Sequence, residues 1–128
     1  METEADAVKA LLEVLLRAPL LGFPVMRGRV EGPRQRGVYI IYDPSGNVAH
    51  VGRTPRARGG ISQRLRNQLG GRTSFAEKHL RGDGHKLRDG YKFRYLIVDD
   101  DRKRALLEAY ATGCLCPEHL GLGSAPDV

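Results

Sequence analysis

Arginine dominates the stretch of chain from residue 27 to residue 72. Ten arginines (Arg27, Arg29, Arg34, Arg36, Arg53, Arg56, Arg58, Arg64, Arg66 and Arg72) meet only two acids there, Glu31 and Asp43, so this segment carries more positive charge than the +6 of the whole chain. The excess is therefore local, and is not a general solubility device. A guanidinium fork grips two phosphate oxygens at once where an ammonium offers one point charge, which makes nucleic acid the partner class. Beside these arginines, Arg64 among them, the chain carries phenol, imidazole and carboxylate side chains such as Tyr39, His50 and Glu108. Hydrolysis of a phosphodiester asks for such types. Water must lose a proton, charge on the phosphoryl oxygens must be compensated, and the departing alkoxide must be supported. A phenol or imidazole, a guanidinium and a carboxylate-held divalent cation serve these needs in turn.

The elements that must position these groups follow from patterning. Gly37-Val38-Tyr39-Ile40-Ile41-Tyr42-Asp43 and Asn47-Val48-Ala49-His50-Val51-Gly52 are β-type runs joined by Pro44-Ser45-Gly46, which predicts a hairpin. With the turn centred between Ser45 and Gly46, Tyr39 opposes Gly52 and Ile41 opposes His50, so the phenol and imidazole share a face as diagonal neighbours. Gly52 is expected to leave room beside the phenol for a phosphate. After an Arg- and Gly-rich loop over 53–60, Ile61, Leu65, Gln68 and Leu69 mark a helix stopped by Gly70-Gly71, with Arg64 and Gln68 at the edge of its buried stripe. Ser74-Phe75-Ala76-Glu77 reads as a capping box opening a short helix that ends by Arg81-Gly82, and 82–90 reads as polar loop. Phe93 to Val98 form a third strand. Asp99-Asp100-Asp101 caps a helix from about Arg102 to Gly113, on which Ala105, Glu108, Ala109 and Thr112 share a face small enough to bring a carboxylate close to the sheet.

Upstream, residues 5 to 18 predict an amphipathic helix with Ala7, Leu11, Val14, Leu15 and Leu16 on one stripe, ended by Pro19. Residues 19 to 36 predict an irregular connection with an extended piece around Val25 to Val30. The tail from Pro117 offers Leu120 and Leu122 as packing residues. The whole predicts an α+β domain: a small central antiparallel sheet of three strands, order of elements β-β-α-α-β-α, flanked by helices and preceded by an extra helix. Residues 1–36 form the N-terminal helix and Arg-rich connection, and 37–128 the domain proper.

At 128 residues the chain suits one core. No apolar run approaches the roughly 20 residues that cross a bilayer, so no membrane is expected. The acidic opening Met1-Glu2-Thr3-Glu4 does not read as a secretory signal. Cys114 and Cys116, two residues apart, read as half-buried reduced thiols, and with His119 they lack zinc-site spacing. A cytoplasmic protein is expected. Only Tyr39, Tyr42, Phe75 and Tyr91 lie near the arginines, which disfavours single-strand RNA recognition by stacking.

The order of elements, with Gly37-Val38-Tyr39 on the first strand and His50-Val51-Gly52 on the second, resembles the GIY-YIG nuclease family over residues 37 to about 119. In this family a Gly-Ile-Tyr triplet and a Tyr-Ile-Gly triplet share a hairpin, followed by a helix arginine and a later metal-binding glutamate. His50 stands where tyrosine is usual, and Glu118-His119 follow Pro117 where asparagine is usual. The resemblance implies Tyr39 as base or water activator, and the ordinary imidazole pKa of about 6.5 makes His50 a candidate to assist or replace it. The resemblance also implies Arg64 (with Arg66 as fallback) on the phosphoryl oxygens, and Glu108 as ligand to Mg²⁺ or Mn²⁺. Gly52, Arg53, Arg56, Arg58, Arg66, Gln68 and Arg72 are then expected to bind substrate. The implied activity is metal-dependent DNA endonuclease, structure-selective or weakly sequence-specific. The alternative is a catalytically weakened GIY-YIG-like nucleic-acid-binding module. The first helix is a candidate surface for a targeting protein or a homodimer.

Overall fold

The run Gly37-Val38-Tyr39-Ile40-Ile41 is apolar at consecutive positions, the signature of a strand covered on both faces, and all five residues are buried. It is the centre of the sheet in the computed structural model, which describes residues 1–25, 30, 32–55 and 58–121. Arg27, Arg29, Glu31, Arg56, Leu122 and most of the extended piece expected at Val25 to Val30 lie outside the described residues. In chain order the elements are α1 (Glu4–Arg17), β1 (Leu21–Gly22), β2 (Gly37–Tyr42), β3 (Val48–Arg53), α2 (Gly60–Leu69), α3 (Ser74–His79), a 3-10 helix (Gly84–Arg88), β4 (Lys92–Ile97) and α4 (Asp101–Leu115). The sheet is antiparallel with order β1-β4-β2-β3. It has four strands where three are predicted. The addition, β1, pairs only Leu21 and Gly22 with Phe93 and Lys92, too short a segment to show a periodicity.

Alternation along β2 divides the core into two layers. Tyr39 and Ile41 face Ile61, Leu65, Phe75 and Leu87 on the α2–α3 side, whereas Val38 and Ile40 face Leu12, Leu15, Leu107 and Ala111 on the α1–α4 side. In α1 the buried stripe is Val8, Leu12 and Leu15, with Val14 and Leu16 exposed, a rotation from the predicted face. Because that stripe is covered by the protein's own α4 and sheet, it is not available to a partner or a second copy. The N-cap of α3 is Thr73, whose Oγ1 accepts from the Ala76 N–H at 3.1 Å, one residue before the predicted Ser74. The loop predicted over 82–90 contains the 3-10 helix, pinned by fully buried Leu87. Both cysteines are exposed rather than half-buried. No helix among the described residues is long and apolar enough to cross a membrane.

Two features fix the far edge of the sheet. The hairpin pairs Tyr39 with Gly52 and Ile41 with His50 as predicted, but next pairs Tyr42 with Val48, leaving Ala49 as a bulge. Asp43 organises the turn: its Oδ1 accepts from the Ser45 and Asn47 N–H groups, each at 2.9 Å. Beyond α4, Cys116 takes a left-handed conformation (φ 47°) and the chain turns back along β3, with Glu118 N–H donating to Val48 O (3.0 Å) and His119 N–H to Ala49 O (2.9 Å).

Arg104, absent from the sequence reading, ties these parts together. Its buried guanidinium donates to Thr54 O (3.1 Å), Val98 O (3.1 Å) and Asp99 O (3.0 Å), and pairs with Asp101. Three carbonyls from the end of β3 and the β4–α4 connection thus depend on one side chain. Arg104→Ala is expected to lower unfolding free energy by about 3 kcal/mol in urea denaturation, because buried acceptors lose a charged donor. Arg102→Ala, which removes the solvent-exposed pair with Glu4, is the control expected to change little.

Candidate active site

Tyr39 projects from the central strand into the α2–α3 layer, where it is wholly buried. Gln68 Nε2 donates to its hydroxyl at 2.8 Å, and Gln68 Oε1 accepts in turn from Thr73 Oγ1, the cap of α3. Arg64, one helical turn before Gln68, reaches the same phenolic oxygen. Burial outweighs the guanidinium and raises the phenol's pKa above its ordinary value, so it stays protonated. Gln68, expected to bind substrate, has its amide engaged at both ends and orients the phenol instead. Gly52 does not open a gap beside that phenol. A Cβ there would lie 2.5 Å from the Tyr39 hydroxyl oxygen and 2.9 Å from His50 Nε2, so glycine is required for the two rings to close over the strand.

The Ala49 bulge places His50 toward the same layer, with its ring stacked on Phe75 (centroids 4.8 Å) and 5.8 Å from that of Tyr39. Neither imidazole nitrogen has a hydrogen-bond partner among the described residues. The ordinary histidine pKa expected for this ring is not retained. Burial first, then His119, Arg64 and His79, lowers it to about 3. His119, which stands where the resemblance expects asparagine, arrives through the edge pairing on β3. Its ring centroid is 5.5 Å from that of His50, it is only 8% exposed, and its Nε2 also lacks a partner. Burial, with Lys78 and His79 nearby, lowers its pKa as well. The available signal was Pro117, which ends α4 and returns the chain to the sheet.

Glu108 lies one turn after Arg104 on α4, with its carboxylate 3.7 Å from Arg53 Nε and also facing the Arg53 backbone N–H. Burial raises its pKa, opposed by Arg53 and Arg64. The carboxylate borders a 320 Å³ pocket shared with Thr112, His50 and His119. The same two histidines wall a 510 Å³ pocket that contains Arg64 and Lys78. Tyr39, His50, Arg64 and Glu108 are therefore brought together, and the Arg64 charge acts on the other three.

The remaining expected contacts are dispersed. Arg53 is paired with Glu108. Arg58 is exposed beside a 50 Å³ recess shared with Arg64 and Asn67. Arg66 donates to Gln63 Oε1 at 3.1 Å along the surface of α2, and Arg72 is exposed beside Gly70. Arg56 lies outside the described residues.

No group of three or more His, Cys, Asp or Glu among the described residues is arranged to hold a metal, which argues against a closed protein cage. A single carboxylate on a pocket with room for water does fit hydrated Mg²⁺ or Mn²⁺, ions that keep several waters when they bind.

No family model matches the chain, and no curated protein sequence does. Among solved structures, the GIY-YIG N-terminal endonuclease domain of UvrC from Thermotoga maritima, bound to magnesium as its catalytic divalent cation, aligns with a TM-score of 0.50 at 22% identity, covering 86% of this chain and 94% of that one. A point mutant of that domain bound to its catalytic divalent cation aligns with a TM-score of 0.50 at 19% identity, covering 86% and 93%. The chain has the GIY-YIG nuclease fold.

A histidine held near pKa 3 resists protonation in the folded state but not in the unfolded chain. Stability therefore falls as pH drops below about 6.5. Between pH 7 and pH 5 the contribution from His50 is expected to be about 1 to 2 kcal/mol. Denaturation at both pH values should show the wild type losing that much more than His50→Phe.

Proposed function

We propose that the chain is a divalent-metal-dependent endonuclease that hydrolyses DNA phosphodiester bonds, structure-selectively or with weak sequence preference. The observation that carries this reading is the meeting of Arg64 and Glu108, from helices on opposite faces of the sheet, on two pockets that adjoin at His50 and His119. The UvrC domains, described as endonucleases bound to a catalytic divalent cation, support it through their fold. Arginines around the hairpin and α2 supply the charge that draws a polyanion. Residues 37–128 are the catalytic unit in this reading, and α1 buttresses it from behind.

Arg64 pairs with the phosphoryl oxygens, where its charge offsets that of the transition state. Tyr39 and Gln68 hold the guanidinium side of the site in place. Glu108 holds Mg²⁺ or Mn²⁺, which when bound supplies Lewis-acid stabilisation and lowers the pKa of water. Neither the protonated phenol nor the weakly basic imidazole is tuned to remove a proton at neutral pH, so charge compensation is the main contribution of the protein. The same observation favours the second reading, a DNA-binding module with little activity.

Nicking of supercoiled plasmid and cutting of branched DNA with Mg²⁺ or Mn²⁺ separate the two. Glu108→Gln is expected to abolish cutting while DNA binding persists, and Arg64→Ala to slow it by about 100-fold. Salt-sensitive binding without cutting by the wild type selects the binding module.

Acidification provides a separate check. The raised Glu108 pKa means that the carboxylate takes up a proton at a higher pH than an exposed one. Cation affinity, measured by titration calorimetry, should therefore fall from pH 7 to pH 5.

A further inference from the structure

His50 Nδ1 and Nε2, Arg64 Nε and His119 Nε2 are buried side-chain nitrogens without a hydrogen-bond partner among the described residues. All three residues wall the 510 Å³ pocket on the Arg64 side. A buried polar atom left unpaired costs free energy comparable to a lost hydrogen bond, so several in one place call for water or a ligand to satisfy them. A neutral imidazole keeps one N–H to give, and a guanidinium has only donors. Lys78 adds a positive charge to the same wall.

Backbone geometry makes this arrangement a built one. The bulge at Ala49 turns His50 inward, and the pairing of His119 N–H with Ala49 O seats the second ring against the first. Phe75 packs against both rings, at 4.8 Å from His50 and 5.6 Å from His119. The rings are thereby fixed before anything binds.

We propose that His50, His119 and Arg64 form a donor site for the non-bridging oxygens of a phosphodiester, with His119 a catalytic residue that contacts substrate and His50 a hydrogen-bond donor rather than a base. The proposal rests on the nuclease reading for its substrate but not for its ligand class, a tetrahedral phosphate-type anion. Glu77, the acid on the same wall, sits on the exposed side of α3, which leaves the buried nitrogens facing the anion.

The test uses the full chain in EDTA, titrated with inorganic phosphate and then with a dinucleotide phosphodiester, while imidazole nitrogens are followed by NMR. Signals of His50 and His119 are expected to move saturably, and those of exposed His85 to stay still. His119→Phe keeps the ring and removes the donor, and should weaken phosphate binding about tenfold; His119→Gln, which restores an N–H near the Nε2 position, should recover most of it. With DNA and Mg²⁺, His119→Phe should lower kcat more than it raises KM. Saturable phosphate binding that leaves the His50 and His119 signals unmoved in the wild type overturns the proposal, whether or not a variant folds. Cutting with unmoved imidazoles overturns this site alone, whereas phosphate binding at these rings without cutting upholds the site and overturns the nuclease reading.

Discussion

The buried Arg104 guanidinium is the interaction on which the arrangement of the site depends. Thr54 follows β3 directly, and Val98 and Asp99 follow β4, so the three carbonyls it holds come from strands with β2 between them. Thr54 is itself bound to the start of β2, its N–H donating to Gly37 O at 3.0 Å and its Oγ1 accepting from Gly37 N–H at 3.1 Å. One charged group therefore fixes the ends of three strands relative to α4. An arginine suits this because its planar fork carries several donors in fixed directions, and at 3% exposure those donors have no water to turn to. Glu108, four residues later, lies on the same side of α4 and meets Arg53, the residue before Thr54. The structural clamp and the pocket-lining carboxylate are successive turns of one helix.

The opposite wall is set by a polar chain. Phenol, Gln68 amide and Thr73 hydroxyl are linked in order, from the central strand through α2 to the cap of α3. A network with every member satisfied can rigidify a core, whereas a partly satisfied one costs stability. The contrast with the adjoining imidazoles is informative. Tyr39 and Gln68 have their partners inside the protein, while His50 and His119 lack theirs. The satisfied network holds the rings and guanidinium in register, and in the proposed reading the nitrogens left unpaired among the described residues are the part of the site that meets substrate.

Much of this was legible in the sequence because it rests on short-range rules. The alternation and Pro-Ser-Gly turn located the hairpin, and the spacing of Ile61, Leu65 and Leu69 put Arg64 near it. Ile41 opposite His50 was read correctly, although the turn is centred on Ser45 and the Ala49 bulge restores the register. What escaped required tertiary context. A two-residue edge strand has no period, Thr73 outcompeted Ser74 as cap through its tie to Gln68, and the α1 face was decided by what α4 offered. Arg104 escaped because its partners are backbone groups that only the folded chain brings close, and the meeting of His119, noted only at the position of the usual asparagine, with His50 rests on a tertiary edge pairing with Ala49.

The imidazole at position 50 is uncharged at neutral pH because its ring is buried. In water a histidine is partly protonated near neutral pH. Two protonated rings on the wall of the Glu108 pocket would repel any divalent cation there, adding to the charges of Arg53 and Arg64. Burial against Phe75 removes that conflict by holding both rings neutral while leaving their N–H dipoles available. The fold thus separates two requirements that oppose each other. In the proposed reading Arg64 and Lys78 put positive charge on the larger of the two pockets, Glu108 with Arg53 beside it offers a carboxylate to a cation on the other, and the two neutral rings stand at the boundary.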